Sequence, residues 1–327
     1  MKLGLYSITY LGLWYRGEAL PLPAMIARAK EYGYDGIEID GKRPHGNPLD
    51  WPTSRCRELR AVADGQGIDI FAVAANNDFS SPVPEVREAQ VCCVRDLIRM
   101  TADLGAPTLR VFLAWWGVTR HPKLASYDIA KRLWPIVHEP FTEEEIWGWC
   151  REALAECAGY AAVTLALQNH KPLIRDHRDV LRMVREVNSP ALKVCLDAPL
   201  MPDRSTAAID EAARDVGRLQ VLSHFGGEFE RRPDGTIRGF DIFDGVNRGD
   251  TNQYYHDFVH AMRGIDYQGY LSYELCHPLP VVDGQTVDIG YAHQQARLAA
   301  EFMRDLIESG DRRESLSATQ ATSGRLA

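Results

Sequence analysis

Eight short apolar runs, each succeeded by a longer segment of helical period, constrain this chain more than any other feature. The runs cover residues 3–7, 36–39, 68–74, 108–113, 163–168, 192–197, 220–224 and 270–274. Each run has the length of a buried strand, and the segment after it has the spacing of an amphipathic helix. The first helical segment puts Met25, Ile26 and Ala29 on one face and stops at Tyr32-Gly33. The third, residues 84–104, aligns Val94, Leu97 and Ile98; another opens on Thr142-Glu143-Glu144-Glu145, a capping-box pattern that satisfies free N–H groups at a helix start. Later segments align Val180, Leu181 and Val184 before Asn188-Ser189-Pro190, Tyr255, Phe258, Val259 and Met262 before Gly264, and Leu298, Phe302 and Leu306.

Eight βα repeats without interruption predict a single α/β domain, a (β/α)₈ barrel over residues 1–308. An open doubly wound sheet usually carries Gly-x-Gly-x-x-Gly after its first strand, and that turn is absent. Two loops exceed what a barrel needs, residues 115–141 after strand four and 225–249 after strand seven; the second contains Pro233-Asp234-Gly235, a hairpin signal. Residues 309–327 lose the apolar period and are expected to form a disordered tail.

Composition removes some classes of function. A net charge of −8 with no Lys/Arg-dense stripe argues against a nucleic-acid partner. No apolar run reaches the roughly 18 residues of a membrane helix, and no cleavable apolar stretch comes after Met1. The seven cysteines lie in apolar periodic segments without a Cys-x-x-Cys, so reduced thiols and a cytoplasmic location are expected.

Chemistry in such a barrel sits at the C-terminal strand ends. Strands five to eight end on Gln168, Asp197, His224 and Glu274, each closing an apolar run. One imidazole, two carboxylates and one amide oxygen converging from adjacent strands predict a divalent-metal site, Mn²⁺ best, with Mg²⁺, Co²⁺ or Fe²⁺ also suited. An amide cannot take a proton, so a base is expected elsewhere. His170, two residues past Gln168, would share its face if the strand continued; His277 and His138 are the next candidates. Arg110, Glu38, Lys171 and Trp115 are expected to contact substrate at the mouth, with Asn76 and the Asp40–Gly46 stretch nearby. Within the strand, Arg110 could instead pair with Glu38.

This strand-end pattern resembles the sugar phosphate isomerase/epimerase family with the xylose-isomerase-like barrel, over residues 1–308. That family usually shows Glu, Asp, His, Glu at these positions, so Gln168 is a departure. The resemblance implies a mononuclear site binding adjacent oxygens of a sugar or polyol. Gln168-Asn169-His170, the long loop after strand four and Gly226-Gly227-Glu228 look most like the large subunit of bacterial C-glycoside deglycosidases. That implies a lyase cleaving the C–C bond of 3-oxo-C-glycosides by proton abstraction and elimination, with a small β-rich partner subunit. Trp115, Trp116 and Trp134 would hold its flat aglycone. The alternatives are a metal-dependent sugar or inosose isomerase, epimerase or dehydratase, and a sugar-binding barrel without catalysis.

Overall fold

The computed structural model describes residues 1–115, 117–120, 125–243 and 246–323, with side chains described through residue 309 apart from those of residues 120, 125, 243 and 246. Its centre is a closed barrel of eight parallel strands, β1 Lys2–Tyr6, β2 Gly36–Asp40, β3 Asp69–Ala74, β4 Thr108–Val111, β5 Thr164–Gln168, β6 Leu192–Cys195, β7 Gln220–Gly226 and β8 Tyr270–Glu274. They neighbour one another in chain order, and β1 closes on β8 with Lys2 opposite Tyr270 and Leu5 opposite Tyr273. Phe71, Ala72, Ala166, Cys195, Leu222 and Tyr270 fill the barrel interior, where the Phe71 and Tyr270 rings stack 3.8 Å apart. A Cβ on Gly4 would lie 2.4 Å from the Phe71 ring, so glycine makes room for this layer.

Nine α-helices are described: α1 Leu22–Tyr32, α2 Thr53–Gln66, α3 Pro84–Asp103, α4 Asp128–His138, α5 Glu143–Gly159, α6 His177–Val187, α7 Thr206–Val216, α8 Asn252–Gly264 and α9 Ile289–Ser323. The expected caps are present. Thr142 and Glu145 form the reciprocal capping box of α5, α1 stops at Gly33 (φ 81°), and α6 stops at Asn188 (φ 50°), both left-handed. The apolar stripes face inward: Met25, Ile26, Val94, Leu97, Val180, Phe258 and Phe302 are all buried. Each such side chain contributes roughly 1.5–3 kcal/mol by leaving water. Helical backbone in α9 extends past residue 308, where the apolar period ends.

The two long loops hold structure that local patterns did not fully predict. After β4, a small hairpin (Thr119–Arg120 with Ala125–Ser126) leads into α4, a helix missed because its pattern is mixed and Pro135 lies inside it. After β7, Glu228–Arg231, Ile237–Phe243 and Val246–Asp250 form a three-stranded antiparallel sheet, with the Pro233-Asp234-Gly235 turn joining the first two. Gly227 (φ 100°) begins this insertion; a Cβ there would lie 2.2 Å from the Phe240 carbonyl oxygen. All seven cysteines are free thiols, but Cys92 and Cys93 are exposed rather than buried, on the outward side of α3. Among the described residues, no helix is long and apolar enough to cross a membrane.

Candidate active site

Asp197, His224 and Glu274 come to the C-terminal end of the barrel because β6, β7 and β8 are adjacent, and Glu274 is close enough to the other two to interact electrostatically. The backbone N–H of His224 donates to Asp197 Oδ1 at 2.7 Å, and His224 Nδ1 lies 3.0 Å from Asp197 Oδ2. Asn169, to which the sequence assigned no role, fixes the Asp197 backbone: its Oδ1 accepts from the Asp197 N–H at 2.8 Å and its Nδ2 donates to the Asp197 carbonyl. Ligand atoms of Cys195, Asp197 and His224 all lie within 4.8 Å of one another. Sequence reasoning also missed Cys195; burial pushes its thiol pKa far up, which keeps it neutral.

Glu38, expected at the mouth, lies beneath it instead. Its carboxylate is fully buried and contacts His224 Nε2 at 2.7 Å, Ser272 Oγ at 2.9 Å and the Arg110 guanidinium at 3.6 Å. It does not line the cavity. The imidazole of His224 therefore stands between two carboxylates. Burial alone would lower its pKa, but Glu38 and Asp197 raise it well above the ordinary value. Burial likewise works against the Asp197 carboxylate, but His224 and the Gln168 amide hold its pKa below the usual range. Glu274, facing the cavity, is pushed up by burial.

Arg110 occupies the centre of this network. Nη1 donates to Gln168 Oε1 at 2.6 Å and Nη2 to the Tyr6 hydroxyl oxygen at 2.8 Å, while Tyr6 donates to Asp40. Gln168 Nε2 donates to Asp197. The amide orientation follows from its neighbours: the guanidinium requires an acceptor and the carboxylate requires a donor. The Gln168 oxygen is thus turned toward Arg110 and its amide nitrogen toward Asp197.

The cavity above encloses about 920 Å³, counted to its open mouth. Its polar lining includes Lys42, Asn76, Arg110, Glu274 and His277; its aromatic wall is Phe112, Trp115 and Tyr127. Phe112 and Trp115 stack 5.0 Å apart. Of the expected substrate contacts, Arg110 and Trp115 line this space, whereas Lys171 is exposed and does not. Trp134 donates to Ser80 Oγ and stacks on His138, and it does not line the cavity; Trp116 lies outside the described residues.

The three candidate bases separate clearly. His138 is buried, with its ring nitrogens 2.6 and 2.8 Å from the carbonyls of Trp134 and Ser80, and does not line the cavity. His170 does line it, but not through strand alternation. The strand ends at Gln168, and a tight turn with the His170 N–H on the Gln168 carbonyl brings the ring around. Burial lowers its pKa to about 4, so it is a weak base there. His277 also lines the cavity, and its Nε2 lies 3.0 Å from Glu228 Oε1.

Comparison with known proteins agrees with this architecture. A curated relative, 2-epi-5-epi-valiolone 7-phosphate 2-epimerase from Actinoplanes sp. (strain ATCC 31044 / CBS 674.73 / SE50/110), is 30% identical over 178 residues, 53% of this chain and 56% of the relative. The chain thus spans little more than half of that relative's length. Among solved structures, D-psicose 3-epimerase with D-tagatose from Clostridium cellulolyticum H10 superposes with a TM-score of 0.66 at 19% identity, over 94% of this chain and 99% of that one. An L-ribulose 3-epimerase gives 0.66 at 19% over 97% of each chain, and 3-keto-D-glucoside 4-epimerase from E. coli gives 0.62 at 17% over 92% and 98%. Residues 26–306 match the xylose isomerase-like TIM barrel family, to which this chain belongs.

Proposed function

We propose that this protein is a divalent-metal-dependent isomerase or epimerase that moves a proton next to the carbonyl of a keto sugar or cyclitol ketone. The observation that carries this reading is the buried Asp197–His224 pair at the C-terminal strand ends, with Glu274 lining the cavity at the barrel mouth. The donor set fits a dication. At formal charge, Glu38, Asp197 and Glu274 give −3, and Arg110 with a protonated His224 gives +2, so these buried groups keep a net −1. Asp197, His224 and Glu274 would hold the ion, and mixed oxygen and imidazole donors suit Mn²⁺ as well as Mg²⁺, Co²⁺ or Fe²⁺. When bound, it would supply Lewis-acid polarisation of the substrate carbonyl. Arg110, Lys42 and Asn76 would orient the substrate hydroxyls. Related proteins named as epimerases of ketoses, of a 3-keto-glucoside and of a cyclitol phosphate support this class of chemistry over a lyase.

The wall of Phe112, Trp115 and Tyr127 supports a second reading, elimination of an aromatic aglycone from a 3-oxo-C-glycoside. A small β-rich partner subunit belongs with that reading. Its support is the outward stripe of α4, where Ile129, Leu133, Ile136 and Val137 are 46–69% exposed.

The test is to load the protein with Mn²⁺ and incubate it in D₂O with D-fructose, D-psicose, an inosose, a 3-oxo-O-glucoside and a 3-oxo-C-glucoside. Deuterium should enter beside the carbonyl of at least one, with an isomer or epimer appearing. Release of an aglycone from the C-glucoside alone would favour the second reading, and no exchange with any of them would refute both.

A further inference from the structure

His277 lies three residues beyond Glu274, is 4% exposed and lines the cavity. Three separate elements hold it in place. It comes just after β8, its Nε2 lies 3.0 Å from Glu228 Oε1 at the start of the inserted sheet, and the other oxygen of Glu228 accepts from the Tyr291 hydroxyl of α9. Burial opposes a charge on Glu228, but the bonds from His277 and Tyr291 hold its carboxyl below the usual range. A carboxylate facing Nε2 fixes the proton on that nitrogen and leaves Nδ1 with its lone pair. Among the described residues, Nδ1 has no hydrogen-bond partner. This is the arrangement of an oriented general base: an imidazole on the reaction space, with an anion behind it to stabilise the imidazolium.

We propose that His277, oriented by Glu228, is the base that takes the proton from the carbon beside the substrate carbonyl. The inference rests on the carbonyl-adjacent proton transfer proposed above. In that step the C–H bond breaks, its electron pair forms the C=C bond of an enediolate, and the carbonyl π pair moves onto oxygen. The proton rests on His277 Nδ1, and the imidazolium charge is balanced by Glu228. Return of that proton to carbon or oxygen of the intermediate restores the neutral imidazole. Gln168, on the β5 side of the mouth, has no site to carry a proton. Glu228 is a positioning residue, and Tyr291 holds its second oxygen.

Two measurements test this. Histidine-selective ¹⁵N NMR, with His277 assigned from its loss in His277→Asn, should show the neutral Nε2–H tautomer, and Glu228→Gln should erase that preference. In D₂O, with the keto sugar that the wild-type enzyme exchanges, His277→Asn should lower exchange roughly 10²- to 10⁴-fold at unchanged metal content. Glu228→Gln should reduce kcat more than it changes KM and should move the acidic limb of the pH–rate profile, with partial recovery in Glu228→Asp. An Nδ1–H tautomer in the wild type, or wild-type exchange in His277→Asn, overturns the proposal. If the wild-type enzyme exchanges no keto sugar, the functional reading fails, and the tautomer alone decides whether Glu228 orients His277.

Discussion

Replacing Arg110 by Met tests whether the buried network beneath the site is structural. Arg110 is 4% exposed and Glu38 is fully buried, so neither charge can turn to water when the other is lost. Glu38 Oε1 already has no hydrogen bond, and the guanidinium 3.6 Å away is its compensating charge. The Met variant also removes donors from Gln168 Oε1 and the Tyr6 oxygen. Breaking a buried ion pair by deleting one partner costs about 3–5 kcal/mol. Losing two donors adds to this, whereas His224 and Ser272 still hold Glu38 Oε2 and limit the damage. We expect a net loss of about 4 kcal/mol, read by urea unfolding of metal-free protein, or a Tm lower by roughly 8–16 °C. The double variant Arg110→Met/Glu38→Gln should cost at least about 1 kcal/mol less than the two single changes summed, because the second change removes the stranded charge. A single Arg110→Met change costing under about 1 kcal/mol, or strictly additive costs, would refute this reasoning.

Metal analysis should separate ligands from their support: Asp197→Ala and His224→Ala should lose Mn²⁺, while Gln168→Ala should keep about one ion per chain at weaker affinity, roughly 10- to 100-fold. His170 should titrate near pH 4 by NMR. Because its folded pKa lies below the unfolded value near 6.5, stability should be full above that value and fall by up to roughly 3 kcal/mol as pH drops toward 4; a midpoint near 6.5 would show the ring to be solvated. The apolar stripe of α4 should drive association, so sedimentation should show an oligomer or a captured β-rich subunit that Leu133→Glu weakens at least tenfold; a monomer unaffected by Leu133→Glu and without affinity for such a subunit would show the stripe to be inert.

Most of the barrel was legible because strand and helix periods are local. Residues 270–274 coincide with β8, and the other strand boundaries shift by one to two residues. The helix α4 was hidden because the half-buried Trp134, the buried His138 and the cavity residues Lys131 and, at the N-cap, Tyr127 share one face, while the opposite face is apolar and exposed. That is the reverse of the pattern by which an amphipathic surface helix is recognised. His170 was misplaced in route rather than in destination: alternation assumes a continuing strand, and the chain turns at Gln168. The contacts that define the site are longer in sequence than any local rule can reach. Glu38 meets His224 across 186 residues, and Glu228 meets His277 across 49 from an inserted sheet whose packing the turn motif does not specify.

Gln168 shows how such long-range contacts change the meaning of a single residue. From the sequence, an amide in place of the family's usual carboxylate reads as a metal ligand that has lost its charge. In the structure it lies between a cation, Arg110, and an anion, Asp197, and serves both at once. An amide can do this because it carries an acceptor and a donor on one rigid plane, whereas an ionised carboxylate would satisfy Arg110 and repel Asp197. Arg110 brings one positive charge into the barrel, and the amide at position 168 accepts from it without placing another negative charge against Asp197. The glutamine on β5 is therefore better understood together with the arginine on β4 than as a departure on its own. Together they fix the Asp197 carboxylate from the side away from His224.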